Sequence, residues 1–271
     1  MFSGVTTSRS DPTLTKGPNV IQVSEFCKAY ESEIAVNDVS FNVQAGQVLG
    51  LIGPNGAGKT TTLRALAGLI PASRGTLSVN EFDVQNSPIE VKRRTAYVPD
   101  DPQLFNDLTV WEHFAFVASA YSVKNWQTEM KALLQRFDLL KKLDAKACDL
   151  SRGMRQKLAI GCAYLYRPAA LLLDEPMTGL DPLGIRVLKK SICERAQQGS
   201  AVIISSHLLA MVEDICTHVL ILESGQQKFY GTLAELKQQF QNDQTSTTLE
   251  EIFFHAVSSP VDPVTQIPMV N

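Results

Sequence analysis

The segment Gly53-Pro54-Asn55-Gly56-Ala57-Gly58-Lys59-Thr60 limits what this chain can fold into more than any other part of it. It has the spacing G-x-x-x-x-G-K-[ST], a glycine loop whose backbone N–H groups wrap a phosphate. Its flanks agree with that reading. The apolar run Val48-Leu49-Gly50-Leu51-Ile52 reads as a short buried strand, and residues 61–68 have helical spacing that ends at Gly68. Strand, loop and helix in that order bring N–H groups and a positive helix end onto one anion. Gly56 and Gly58 open backbone conformations closed to other residues and let the chain approach the anion closely. Lys59 supplies a point charge for the outer phosphates, and the Thr60 hydroxyl suits a Mg²⁺ ligand.

On either side of the loop the chain alternates in character. Residues 20–26, 34–43, 75–79 and 95–98 read as strands, the last ending at Pro99. Residues 110–121, 126–137 and 153–166 carry apolar side chains at three- and four-residue steps, which predicts an insertion of helices. Strands resume at 170–173, 201–205 and 218–222, with a helix before each of the last two. The pattern predicts an α/β chain with a mainly parallel sheet covered on both faces. A helix begins at Thr232, residues 241–248 are polar, and 249–257 read as a short amphipathic segment. Residues 1–18 are polar, without an apolar signal core, and read as a tail; so does the proline-bearing stretch 258–271.

Composition removes several function classes. The 271 residues, 44% of them hydrophobic, suffice for one large α/β domain with a subdomain. A net charge of −3 gives no general pull toward nucleic acid. The run Lys92-Arg93-Arg94 is a local basic patch, but it fits a solvated helix face better. Five cysteines, scattered and without a C-x-x-C pair, argue against a disulfide framework or a zinc site and fit a reducing compartment. No apolar run approaches the roughly 18 residues of a membrane-spanning helix. Work at a membrane would therefore need another chain to cross it.

Three further segments carry chemistry. Ala170-Leu171-Leu172-Leu173-Asp174-Glu175-Pro176 is an apolar strand ending in two acids. Placed beside the phosphate-loop strand, Asp174 would hold the Mg²⁺ bound by Thr60. Successive residues of a strand point to opposite faces, so Glu175 takes a different task, polarising a water aimed at the terminal phosphate. An exposed acidic turn after a buried strand would look the same in isolation. His207 follows the apolar strand Ala201-Val202-Ile203-Ile204-Ser205; it suits a contact to a γ-phosphate or to the attacking water, although capping or packing explains most lone histidines. In Leu150-Ser151-Arg152-Gly153-Met154-Arg155-Gln156, Ser151 caps a helix and Gly153 clears space beside its N-terminus, which makes a second anion site. An N-cap accounts for Ser151 but not for the whole L-S-x-G-x-x-Q spacing.

Phosphate loop, L-S-x-G-x-x-Q, the apolar-D-E-P strand, Thr178-Gly179-Leu180-Asp181 and the strand-end His207 occur in the order of the ATP-binding cassette (ABC) ATPases, and the chain resembles that family over residues 20–231. The resemblance implies a P-loop NTPase, RecA-like parallel sheet with an N-terminal antiparallel part and a helical subdomain at about 100–160, inside an ATPase domain spanning 19–231. It implies ATP and Mg²⁺ as cofactors. Tyr30 would stack on adenine; Gly53, Pro54, Asn55, Gly56, Ala57, Gly58, Lys59, Thr60 and Thr61 would hold the phosphates. Thr60 and Asp174 would bind Mg²⁺, Glu175 would be the general base and His207 would sense the γ-phosphate. Ser151 and Gly153 would contact the ATP held by a second ATPase subunit, and Asp181 would bridge the dimer. Asp100, after Tyr97-Val98-Pro99, departs from the usual glutamine, or the glutamate of an exporter-like group. Being shorter than glutamate, Asp100 would reach Mg²⁺ through water.

Residues 100–110 and 150–157 and the segment Leu249-Glu250-Glu251-Ile252-Phe253 are similar to exporter-type members. The expected function is an ATP-hydrolysing subunit that powers a separate membrane permease, on the cytoplasmic face of the membrane, with no nucleic-acid partner. The alternative is a soluble regulatory or nucleic-acid-associated ABC ATPase. Such proteins usually carry two cassettes or a long coiled-coil insertion, and this sequence has one cassette and neither feature. A phosphate-loop kinase or GTPase would have no use for residues 150–156.

Overall fold

The computed structural model describes residues 18–31, 33–207 and 209–240, so the segments read from 241 onward and before 18 lie outside the described residues. The chain opens with β1 (Asn19–Tyr30) and β2 (Glu33–Gln44), then β3 (Val48–Ile52), α1 (Lys59–Leu66), β4 (Arg74–Val79), β5 (Phe82–Asp83), α2 (Pro88–Arg94) and β6 (Thr95–Val98). Three helices follow: α3 (Val110–Ala120), α4 (Trp126–Arg136) and α5 (Arg152–Leu165). The remainder alternates as β7 (Ala170–Asp174), α6 (Pro182–Gln197), β8 (Ala201–Ser206), α7 (Leu209–Ile215), β9 (His218–Glu223), β10 (Gln226–Thr232) and α8 (Leu233–Phe240).

Two sheets result. β2, β1, β4 and β5 form an antiparallel sheet in that order. The larger sheet runs β10-β9-β3-β8-β7-β6, parallel throughout except that β10 pairs antiparallel with β9. The expected α/β class, with a parallel core and an antiparallel N-terminal part, is the one observed. Short β5 and β10 have no apolar signature and are not legible as strands: β10 is half-exposed along its length.

Alternation along the central strands feeds two apolar layers. Val48, Leu171, Leu173, Val202 and Ile204 face a layer shared with Phe114, Leu133, Leu158 and Leu188 from the inserted and later helices. Leu49, Leu51, Leu172 and Ile203 face a second layer with Leu63 of α1 and Val23, Phe26 and Leu77 of the antiparallel sheet. Both faces are dry, which is why β3, β7 and β8 are buried at every residue.

One expectation needs correction. β7 does not lie beside β3; β8 lies between them. At roughly 4.8 Å between strands, Asp174 therefore stands about two strand widths from the phosphate-loop strand. Hydrophobic periodicity reports which face a residue takes and carries no information on which strand is its neighbour.

Candidate functional site

β3, β8 and β7 are parallel and end level with one another: Ile52 is opposite Ser206, and Ser205 is opposite Asp174. The phosphate loop, His207 and Glu175 each follow one of these three ends, so chemistry distant in sequence meets at one carboxyl edge. A cleft of about 680 Å³ lies there, lined by Tyr30, residues 55–61, Asp100, Asp174 and Glu175 among others.

Helix α1 starts at Lys59, two residues earlier than its apolar spacing suggests, because Gly58 caps it in the left-handed region at φ +98°. A Cβ at Gly58 would stand 2.7 Å from the Ala35 carbonyl oxygen, so the antiparallel sheet presses directly on the loop. Lys59 is 7% exposed, and its Nζ donates to the carbonyls of Gly53 (2.7 Å) and Pro54 (3.0 Å). Burial holds its ammonium pKa below the usual lysine value, against the opposing pull of the Glu175 and Asp174 carboxylates. A cation so placed gains from any anionic oxygen that joins it.

Asp174 is 3% exposed; Ser205 Oγ donates to its Oδ1 at 2.5 Å and the Tyr97 hydroxyl to its Oδ2 at 3.3 Å. Glu175 leaves the strand at φ +46°, uncommon for a glutamate, with its N–H donating to Ser205 Oγ at 2.9 Å. That turn sends the two acids apart, and Glu175 Oε2 lies 2.9 Å from His207 Nδ1. Strained backbone held by a neighbour is a common feature of catalytic edges. The donors suit Mg²⁺: a threonine hydroxyl and a buried carboxylate in a cleft with a phosphate loop are hard oxygen ligands. Among the described residues no cluster of three or more His, Cys, Asp or Glu could hold a metal by itself, so a cation here needs phosphate oxygens as well.

Tyr30 is 44% exposed on the cleft wall. Lys28, nearly buried, sits over its ring at 4.8 Å from the centroid and donates to the Pro71 carbonyl at 2.9 Å. Asp100 lines the same cleft, and its Oδ1 lies 3.2 Å from Arg152 Nη2. Ser151 caps α5, its Oγ accepting from the Met154 N–H at 3.3 Å. A Cβ on Gly153 would meet the Gly179 carbonyl oxygen at 2.5 Å, so the space that Gly153 clears is filled by the turn at 178–181. Asp181 caps α6 by accepting from the Gly184 N–H. Neither Ser151 nor Gly153 lines the phosphate-loop cleft of its own chain.

No motif singles out Ser205, which donates to the Asp174 carboxylate and accepts from the Glu175 N–H, or Lys28 over the Tyr30 ring. Two hydroxyls ending the apolar strand β8 were the available signal for Ser205. Lys28 had none, since its meaning depends on a ring two residues away.

The chain matches the ABC transporter family over residues 36–178. This chain belongs to the ABC transporter family. It is an ATP-binding subunit of that family and an ATPase. The ABC-type transporter ATP-binding protein EcsA of Bacillus subtilis (strain 168) is 36% identical over 224 residues, which cover 82% of this chain and 91% of that protein. The linearmycin resistance ATP-binding protein LnrL of the same organism is 28% identical, over 89% of this chain and 79% of its own length. Among solved structures, an ATP-binding subunit of an ABC transporter superposes with a TM-score of 0.83 at 34% identity, covering 88% of this chain and 99% of that one. No helix among the described residues of this ABC subunit is long and apolar enough to cross a membrane.

Proposed function

We propose that this subunit binds Mg·ATP at the common edge of β3, β8 and β7, closes on a second ATPase subunit, and drives a separate membrane permease, in the direction of export. The carrying observation is the meeting of Lys59, Thr60, Asp174 and Glu175 in one cleft, with His207 bonded to Glu175 at its edge. In this reading Lys59 and the loop N–H groups bind the phosphates, Thr60 and Asp174 hold Mg²⁺, and Asp100 contributes through water after leaving Arg152. Mg²⁺ supplies charge neutralisation on the phosphates. Glu175 accepts the proton of the attacking water, His207 holds that carboxylate and senses the γ-phosphate, and Tyr30 stacks on the base.

The Ser151 helix tip lies outside its own chain's cleft, which supports its use toward the ATP of a partner. Closure is then a two-state equilibrium biased by ATP and released by hydrolysis. We assign the contact with the permease to the exposed apolar side chains Leu69, Phe105 and Phe116; Leu69 shares a cavity with Asp100, and Phe105 follows Asp100 in the same loop. Phe105 and Phe116 meet edge to face at 5.3 Å. The subunit would sit peripherally on the cytoplasmic side. Export is favoured by the linearmycin resistance for which LnrL is named and by the similarity of residues 100–110 and 150–157 to exporter-type members.

Detergent extraction of membranes carrying the tagged subunit tests the permease. Recovery of a stoichiometric integral membrane protein is expected; recovery only of soluble or nucleic-acid partners would instead favour a regulatory ABC ATPase.

A further inference from the structure

A second cavity, of about 580 Å³, lies far from the nucleotide cleft and shares no lining residue with it. Its walls come from α4 (Glu129, Leu133, Arg136), from the turn before β7 (Arg167), from the end of α6 (Arg195) and from Ser200 just ahead of β8. It therefore opens at the amino ends of β7 and β8, whereas the phosphate loop follows the carboxyl end of β3, to which those strands run parallel. A five-residue strand separates the two ends by roughly 13–17 Å.

Charge in this cavity does not balance. The Arg195 side chain is 6% exposed, and its Nη2 reaches Glu129 Oε1 at 3.2 Å. Arg167 Nη2 takes the other oxygen of the same carboxylate at 3.1 Å. Arg136 pairs with Glu194 at 2.7 Å. Three guanidiniums thus face two carboxylates, and one carboxylate is divided between two of them. Arg195 is completed by weaker partners: Gln198 Oε1 at 3.4 Å and the Tyr164 ring, 4.6 Å from its Cζ. Its buried Nε–H has no acceptor among the described residues. A buried cation left short of partners is expensive, and a concave wall of low dielectric concentrates its field. Each guanidinium offers five N–H donors in a planar fork that matches an oxyanion, and the pairs just described use few of them.

We propose that this cavity binds a small oxyanion, a phosphate or a carboxylate, between Arg136, Arg167 and Arg195. Glu129 lies in the same wall and keeps the surplus at one positive charge, so binding is modest and selective for anions that reach more than one fork. The site bridges α4, in the inserted helices, to α6 and the sheet. An anion there ties the two parts together. In the proposed cycle, which needs the insertion to move, occupancy would slow turnover; that consequence rests on the proposed function, while the binding does not.

The test is calorimetry on the full chain saturated with a non-hydrolysable ATP analogue and Mg²⁺, so that the phosphate loop is occupied. Inorganic phosphate, pyrophosphate and citrate are titrated separately at constant ionic strength. One further site is expected for at least one anion; a response to the phosphates alone or to citrate alone identifies the class. Arg167→Ala, at a side chain 72% exposed, should weaken it about tenfold, and Arg136→Ala combined with it should remove it. Nucleotide affinity and the circular dichroism spectrum should stay unchanged in both. No heat with any of the three anions at tens of millimolar, or undiminished binding in the double variant, overturns the proposal.

Discussion

At the residue scale, the site rests on a few side chains whose surroundings oppose their ordinary chemistry. Lys59 is a buried cation satisfied by two loop carbonyls. Replacing it with Ala removes a charge-assisted contact of about 1.5–3 kcal/mol, so ATP affinity should fall roughly 10- to 100-fold. Equilibrium binding of a fluorescent ATP analogue checks this; unchanged affinity would remove the phosphate loop from the account. Burial lowers the Lys59 pKa, so its charge is lost on raising the pH before the ordinary lysine value is reached. ATP affinity should therefore decline with rising pH in the range below 10.5, and Lys59→Ala should abolish that decline. Glu175→Gln keeps the shape of the cleft while removing a base; turnover should drop by about 10²–10⁴ with ATP binding retained. Hydrolysis at the parental rate would assign the base elsewhere. These residues were legible because motif spacing names them. Ser205 was not, because the strand end carrying the acids it bonds is brought beside it only by folding.

At the element scale, the helices and buried strands follow periodicity closely: α3, α4 and α5 begin and end within two residues of the expected 110–121, 126–137 and 153–166. Side-chain caps fix the starts of α3 and α5. Thr109 and Glu112 form a reciprocal capping box at α3, and Ser151 caps α5. Ser151→Ala should lower stability by ~1 kcal/mol through the lost cap. In the proposed dimer it should also prevent the ATP-stabilised pair that Glu175→Gln accumulates, a result read by size-exclusion chromatography. Dimers of undiminished yield in the doubly substituted chain would confine Ser151 to capping. Gly153→Ala forces a methyl to within 2.5 Å of the Gly179 oxygen, a backbone atom that yields little. A loss of about 1–3 kcal/mol in chemical denaturation is expected. Elements such as β10, half-exposed and without alternation, left no trace to read.

At the scale of the whole molecule, two dry layers on either side of one parallel sheet hold its carboxyl edge in place. In the proposed function, Phe105 and Phe116, exposed outside those layers, form part of the surface offered to the permease. Phe105→Ser with Phe116→Ser should lower stability by about 1–2 kcal/mol, chiefly through the lost edge-to-face pair, both rings being half-exposed. ATP turnover of the isolated subunit should stay within twofold, while recovery of the membrane protein is lost. Retention of that protein would place the docking surface elsewhere.

By itself the amino-acid order determined the loop, the helices, the buried strands and the identity of the acids, because glycine, caps and periodicity act over a few residues. Only the tertiary structure decided that β8 separates β7 from β3, that Ser205 thereby holds both Asp174 and Glu175, and that three arginines from distant elements share one cavity. Strand order and charge balance are set by packing across the whole sheet, and local spacing does not encode either.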